Sequence, residues 1–201
     1  MTVAALLATL GVSGTAARAA DDVPVPGVTV QAFGGPAAGV GARLWFAQLL
    51  RADLSAGAAL VGPFDWASWA LMVRLAGTPR QFVALRGGYQ VEYDGQVDST
   101  WMGSRTAHAF DAGLVARIES AGGSAVEAQA GVEEVFRSSA AICCDNAALP
   151  RTSTGVRVSL LGEVAVWNQL ALYAQGELRT GAHIMEIGVL PMAVLGVRYR
   201  F

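Results

Sequence analysis

The sequence predicts an all-β fold, an antiparallel up-and-down transmembrane barrel of eight strands, on three observations. First, 53% of the 201 residues are hydrophobic and mean hydropathy is +0.42. Yet past the N-terminal segment no window offers the ~20 apolar residues of a membrane helix. Second, apolar and polar residues alternate with a period of two in stretch after stretch, which suits strands with one face on lipid and the other on a lumen. Third, the connections between these stretches are short and long in turn, as in barrels with tight turns at one end and loops at the other.

The chain opens with an apolar run at residues 3–12, followed by Ala17-Arg18-Ala19 and Asp21-Asp22. This pattern predicts a signal peptide over residues 1–20, although Met1-Thr2 brings no basic residue to its start. Residues 21–37 read as a periplasmic leader or the start of the first strand, and 38–201 as the barrel. The eight stretches are Ala38–Leu50, Trp66–Ala76, Arg80–Tyr93, Arg105–Glu119, Ser124–Arg137, Gly155–Trp167, Gln169–Thr180 and Val189–Phe201. Gly77-Thr78-Pro79, Ser120–Gly123 and Asn168 mark the tight connections; 52–65, 94–104, 138–154 and 181–188 are the long ones. Splitting 52–63 and counting a strand in the leader gives a ten-strand alternative.

Parity makes the barrel reading sharper. In the third stretch Val83, Leu85, Tyr89 and Val91 share one face, while Arg86, Gln90 and Glu92 share the other. Val156, Val158, Leu160 and Val164 likewise oppose Arg157, Ser159 and Glu163, and Leu195, Val197 and Tyr199 oppose Arg198 and Arg200. An Arg on the lipid face at mid-bilayer costs ~2–4 kcal/mol, so a spanning strand keeps its charges inward. Only His108 and Glu134 fall on the apolar parity.

Inward parity gives the lumen eight arginines (Arg43, Arg74, Arg86, Arg117, Arg157, Arg179, Arg198 and Arg200) and seven carboxylates (Glu92, Asp111, Glu119, Glu127, Glu133, Glu163 and Glu177). All 14 basic residues are Arg, the cation best suited to enclosed bidentate pairs. In an interior barely wide enough for side chains, the expectation is a salt-bridged plug. A net charge of −2 gives no electrostatic case for nucleic acid.

The chain ends Val197-Arg198-Tyr199-Arg200-Phe201. This alternation, with an aromatic two before the end and a terminal Phe, resembles the C-terminal signature of bacterial outer-membrane proteins. With the signal peptide and the strand pattern, the whole mature chain is similar to small outer-membrane barrels of the OmpA, OmpX and OmpW type. The resemblance implies a Gram-negative outer-membrane address, contact with outer-membrane lipid, and recognition of Tyr199 and Phe201 by the barrel-assembly machinery. It also implies a monomer in the cell envelope.

Other candidates carry less chemistry. His108 lies in Thr106-Ala107-His108-Ala109-Phe110-Asp111, with no base–nucleophile spacing, so no catalytic residue is assigned, and His183 falls in a loop. Cys143-Cys144 are too few for a zinc site and in an exported protein are expected to clip a loop as a disulfide. No metal or cofactor is expected. Trp45, Trp66, Trp69, Trp101 and Trp167 read as an interfacial girdle. The functional expectation is a structural or surface-interaction role through external loops. A narrow porin-like channel is the alternative, a lipid-modifying enzyme the third, and a secreted lipocalin-type barrel the fourth. The last would place apolar residues inside and polar residues outside.

Overall fold

A computed structural model describes residues 28–34, 37–46, 49–59, 64–94, 102–143, 152–167, 169–180 and 190–200. They form ten strands: β1 Val28–Gly34, β2 Ala37–Trp45, β3 Leu50–Ala59, β4 Phe64–Gly77, β5 Gln81–Asp94, β6 Met102–Glu119, β7 Ala125–Cys143, β8 Thr152–Ala165, β9 Leu170–Arg179 and β10 Leu190–Arg200. Each strand pairs antiparallel with the next, and β1 pairs with β10, so the sheet closes on itself. No helix among the described residues is long and apolar enough to cross a membrane.

The all-β, antiparallel, up-and-down expectation matches this architecture; the count of eight strands does not. Residues 28–34, expected in a leader or the start of the first strand, form a strand of their own, β1, which is hydrogen-bonded to β10 and β2. The first expected strand, Ala38–Leu50, holds β2, a reversal at 46–49 and the first residue of β3. The expected loop 52–65 is largely β3. Two physical reasons explain the miss. The reversal Phe46-Ala47-Gln48-Leu49 contains no Gly, Pro, Asn or Asp, the residues that usually announce a turn. The outward positions of β3 are mostly Ala, which gives little hydrophobic contrast and has weak strand propensity.

Both described ends of the barrel sequence, Val28 and Arg200, lie at the same end as the reversals 46–49, 78–80, 120–124 and 166–169. These reversals are tight: Phe46 N–H donates to Leu50 O at 3.0 Å, Thr78 N–H to Gln81 O at 2.7 Å, and Ser120 N–H to Ser124 O at 2.8 Å. Gly77 enters its turn with φ +99°, where a Cβ would overlap the Gln81 carbonyl. The strand ends Asp94 and Met102, Cys143 and Thr152, and Arg179 and Leu190 lie at the opposite end.

The side chains are arranged inside out relative to a water-soluble protein. On β8 Val156, Val158, Leu160 and Val164 are exposed, while Arg157, Ser159, Leu161 and Glu163 point inward. The same alternation holds on β5, where Leu85 is exposed and Arg86, Gln90 and Glu92 are buried, and on β7, where Val126 and Val132 flank buried Glu127 and Glu133. The buried set therefore includes more than a dozen polar or charged residues, and the exposed set is dominated by Val, Leu and aromatics. This distribution is the reverse of the lipocalin-type expectation.

Small apolar clusters share the interior. Met72, Phe82, Ala84 and Val115 pack together near the short-turn end, with Trp45 against them and its ring edge-on to Phe82 at 5.9 Å. Trp45 thus faces inward rather than joining an exterior girdle. Midway up the β6–β7 pair, inward Gly113 and Gly131 sit opposite each other. A Cβ on either would overlap a backbone carbonyl of the facing strand, that of Ala130 or Ala112. The two strands approach here too closely for side chains, and glycine kinks are a common device for curving a barrel wall.

Candidate functional site

The site is the polar interior. It holds two clusters of ion pairs whose members come from strands on opposite sides of the lumen. The cluster nearer the short turns centres on Glu127 of β7 and Glu163 of β8. Arg51 reaches across from β3 and clamps Glu127 with both terminal nitrogens, at 2.8 and 2.9 Å. Arg117 of β6 adds a third bond to Glu127 at 3.3 Å, and Arg43 of β2 lies 3.6 Å away. Asp53, two residues from Arg51 on the same face, accepts from Arg43 at 3.0 Å and from Arg51 at 3.1 Å.

Glu163 is fully enclosed. It pairs with Arg198 of β10, with Arg200 at 3.0 Å and with Arg117 at 3.4 Å. Glu119 closes this cluster, taking Arg117 at 2.7 Å and Arg200 at 3.3 Å. The two most enclosed arginines are also backed by rings. Arg51 lies over Trp45 at 5.5 Å and Arg198 over Tyr173 at 5.0 Å, an arrangement that favours a desolvated guanidinium.

The second cluster lies nearer the long connections. Asp111 of β6 is shared by Arg86 of β5 and Arg157 of β8, the latter at 2.8 Å. Arg157 and Arg179 in turn share Glu177. Arg179 donates across the lumen to Gln90 Oε1 of β5 at 2.8 Å and lies 3.8 Å from Glu92, to which the Gln90 amide donates at 2.8 Å. Between the clusters the Gln129 side chain, with its oxygen turned to Arg86 at 3.0 and 3.2 Å, bridges toward Ser159.

Of the lumen residues expected from parity, Arg43, Arg86, Arg117, Arg157, Arg179, Arg198, Arg200, Glu92, Asp111, Glu119, Glu127, Glu163 and Glu177 are joined in these ion pairs. Glu133 is buried on the inward face, opposite Asp111 in register. Arg74 is a correction. It points inward, but its Nη1 is buried without a hydrogen-bond partner among the described residues. The register with β5 shifts between Arg74 and Ala76, an irregularity that bends a strand locally. Arg51 and Asp53 were missed. Their signal was the inward parity of Arg51, Asp53 and Ser55, hidden because 52–65 read as a loop.

The remaining candidates lie away from the lumen. His108 faces outward, with its Nδ1 2.6 Å from the Tyr89 hydroxyl and its ring stacked on Tyr89. The sheet itself separates His108 from the interior carboxylates. Glu134, also outward, accepts from Thr154 Oγ1 at 2.7 Å. Tyr89 continues to Trp69 and to Phe110, and Phe110 to Phe136, in one exterior aromatic row. Tyr199 is exposed and donates to Gln169 Oε1 at 2.8 Å. Residues 1–20, Trp101, Cys144, His183 and Phe201 lie outside the described residues, as does the side chain of Cys143.

A buried carboxylate or guanidinium is stable only when its charge and its hydrogen-bonding capacity are met. These clusters meet the charge, and most of the hydrogen-bonding capacity, with partners from strands far apart in sequence, such as Arg51 with Glu127. Their physical effect is to brace opposite walls together and to fill the lumen with fixed charge. Neither a scan against protein-family models nor a search of curated proteins returns a match for this chain.

Proposed function

We propose that the chain is an outer-membrane barrel, closed by its interior ion pairs, that acts as a structural or surface-interaction element through the long connections at one end. The observation that carries this reading is the inside-out parity: an exposed apolar wall around a charged, cross-braced interior. Soluble proteins rarely expose contiguous apolar patches beyond a few hundred Å². On β8 the exposed apolar positions run from Val156 to Val164 and continue to Val166. At ~3.3 Å per residue and a tilt of ~40°, that run stands about 25 Å tall, the height of the lipid-facing band in outer-membrane barrels.

The address follows from the same reasoning. Lipid would cover the apolar wall, the outward row of Trp69, Tyr89 and Phe110 would lie at one interface, and Trp167 and Tyr199 at the other. Tyr199 and Phe201 would engage the barrel-assembly machinery. A monomer suffices, because lipid rather than a second chain covers the wall. The test is folding into detergent micelles followed by gel mobility of unheated and boiled samples. A closed barrel keeps its fold in SDS until heated, so two bands of different mobility, with a β-type circular dichroism spectrum for the unheated form, are expected. A chain that is soluble without detergent and gives one band overturns the reading.

A further inference from the structure

The lumen is not filled evenly. Between the two clusters lies a cavity of about 100 Å³, room for about three water molecules. Its charged lining is Arg43, Arg86, Arg157, Arg198, Asp53 and Glu127. Four guanidiniums and two carboxylates line it directly, while Asp111, Glu177 and Glu163, which pair with Arg86, Arg157 and Arg198, stand behind those arginines and outside the lining.

The two carboxylates are also already committed. Both oxygens of Glu127 accept from Arg51, one of them from Arg117 as well, and both oxygens of Asp53 accept from Arg43 or Arg51. On the opposite wall Asp111 divides one negative charge between Arg86 and Arg157. Arg157 Nε is buried, with an ion pair to Glu177 but no hydrogen bond among the described residues. The Gln129 amide, with its oxygen on Arg86, turns its NH2 toward Ser159 at the cavity edge. The cavity therefore presents mainly guanidinium donors on its lining, in largely buried surroundings where a charge placed among them interacts more strongly than in water.

We infer that this cavity is a binding site for one small inorganic anion of halide size. The inference rests on the closed-lumen reading above, because an open channel would leave the same groups solvated. A halide with a water or two fits the volume; an organic anion such as gluconate does not.

The test uses the full chain folded in micelles. The temperature at which the SDS-resistant band is lost is measured in sodium chloride and in sodium gluconate at equal ionic strength, for the native protein and for Arg86→Gln. A rise of several degrees that saturates with chloride and is lost in Arg86→Gln is expected. Crystals of the native protein grown with sodium bromide supply the second measurement, an anomalous peak inside the cavity, and this decides wherever the two disagree or Arg86→Gln does not fold. Equal midpoints in both salts with no bromide peak overturn the inference and leave a water-filled cavity. A chloride shift that survives in Arg86→Gln without a peak places the anion elsewhere and overturns it too. If the native chain gives no SDS-resistant band, the outer-membrane reading fails, and the bromide peak alone decides the anion site.

Discussion

Glu127 is the residue on which the interior turns. It answers Arg51, Arg117 and Arg43, which come from three different strands. Removing one partner of a buried pair leaves the other charge stranded and typically costs ~3–5 kcal/mol. Glu127→Ala is therefore expected to lower stability by about that much in urea unfolding from micelles, while Glu134→Ala on the outer face costs under about 1 kcal/mol. Replacing both Arg51 and Glu127 by Met is expected to cost less than the sum of the single changes, since neither charge is then orphaned. A double variant that costs the full sum would show the pair to be uncoupled. Parity alone identified Glu127 and Glu163 as inward. It could not name their partners, because Arg51 and Glu127 are 76 residues apart and meet only once the sheet has closed.

At the scale of one strand pair, two positions with the same residue type separate cleanly. Gly113 and Gly131 face each other where a Cβ would strike the opposing backbone, whereas Gly162 on β8 points outward with nothing within 4 Å of its Cβ site. Gly113→Val is expected to abolish the SDS-resistant form, and Gly162→Val to leave its midpoint within a few degrees of native. Equal behaviour would mean that the curvature does not depend on the β6–β7 glycines. The wall has its own test. Leu160→Arg on β8 should destabilise the barrel by ~2–4 kcal/mol in lipid, a cost that falls if the position faces water. The strands with strong contrast, β5 to β10, were legible because Val and Leu alternate with Arg, Glu and Gln. β2 was read as a strand but run past its end, and β1 and β3 were not separated from a leader and a loop; on β3, Ala at most outward positions carries little of the signal that separates the two faces. A reversal without turn residues removed the one local cue to where β2 stops.

For the molecule as a whole, what matters is whether a closed wall encloses a pore. An up-and-down sheet was legible, since connections of one to four residues leave no room for a parallel crossover and so make the strands they join antiparallel. The state of the lumen was legible only as a charge balance, not as a geometry. In the folded chain, Arg51 to Glu127 joins β3 to β7 and Arg179 to Gln90 joins β9 to β5, so bonds cross the lumen at two levels. Near the short turns, Trp45, Phe82 and Met72 occupy part of the same cross-section. An ion passing through would meet these cross-lumen pairs at both levels and the apolar cluster beside one of them. The cavity of about 100 Å³ lies between the braces. Purified protein in planar bilayers is therefore expected to show no sustained conductance steps. Glu127→Ala, if it retains the SDS-resistant form, should show small ones, because Arg51 then loses the carboxylate that draws it across the lumen. Steady steps in the native protein would instead favour the narrow-channel alternative, with the same arginines lining a path rather than closing it. The sign of its ion selectivity would then report which cluster controls entry, since a wall with surplus guanidinium passes anions more readily than cations.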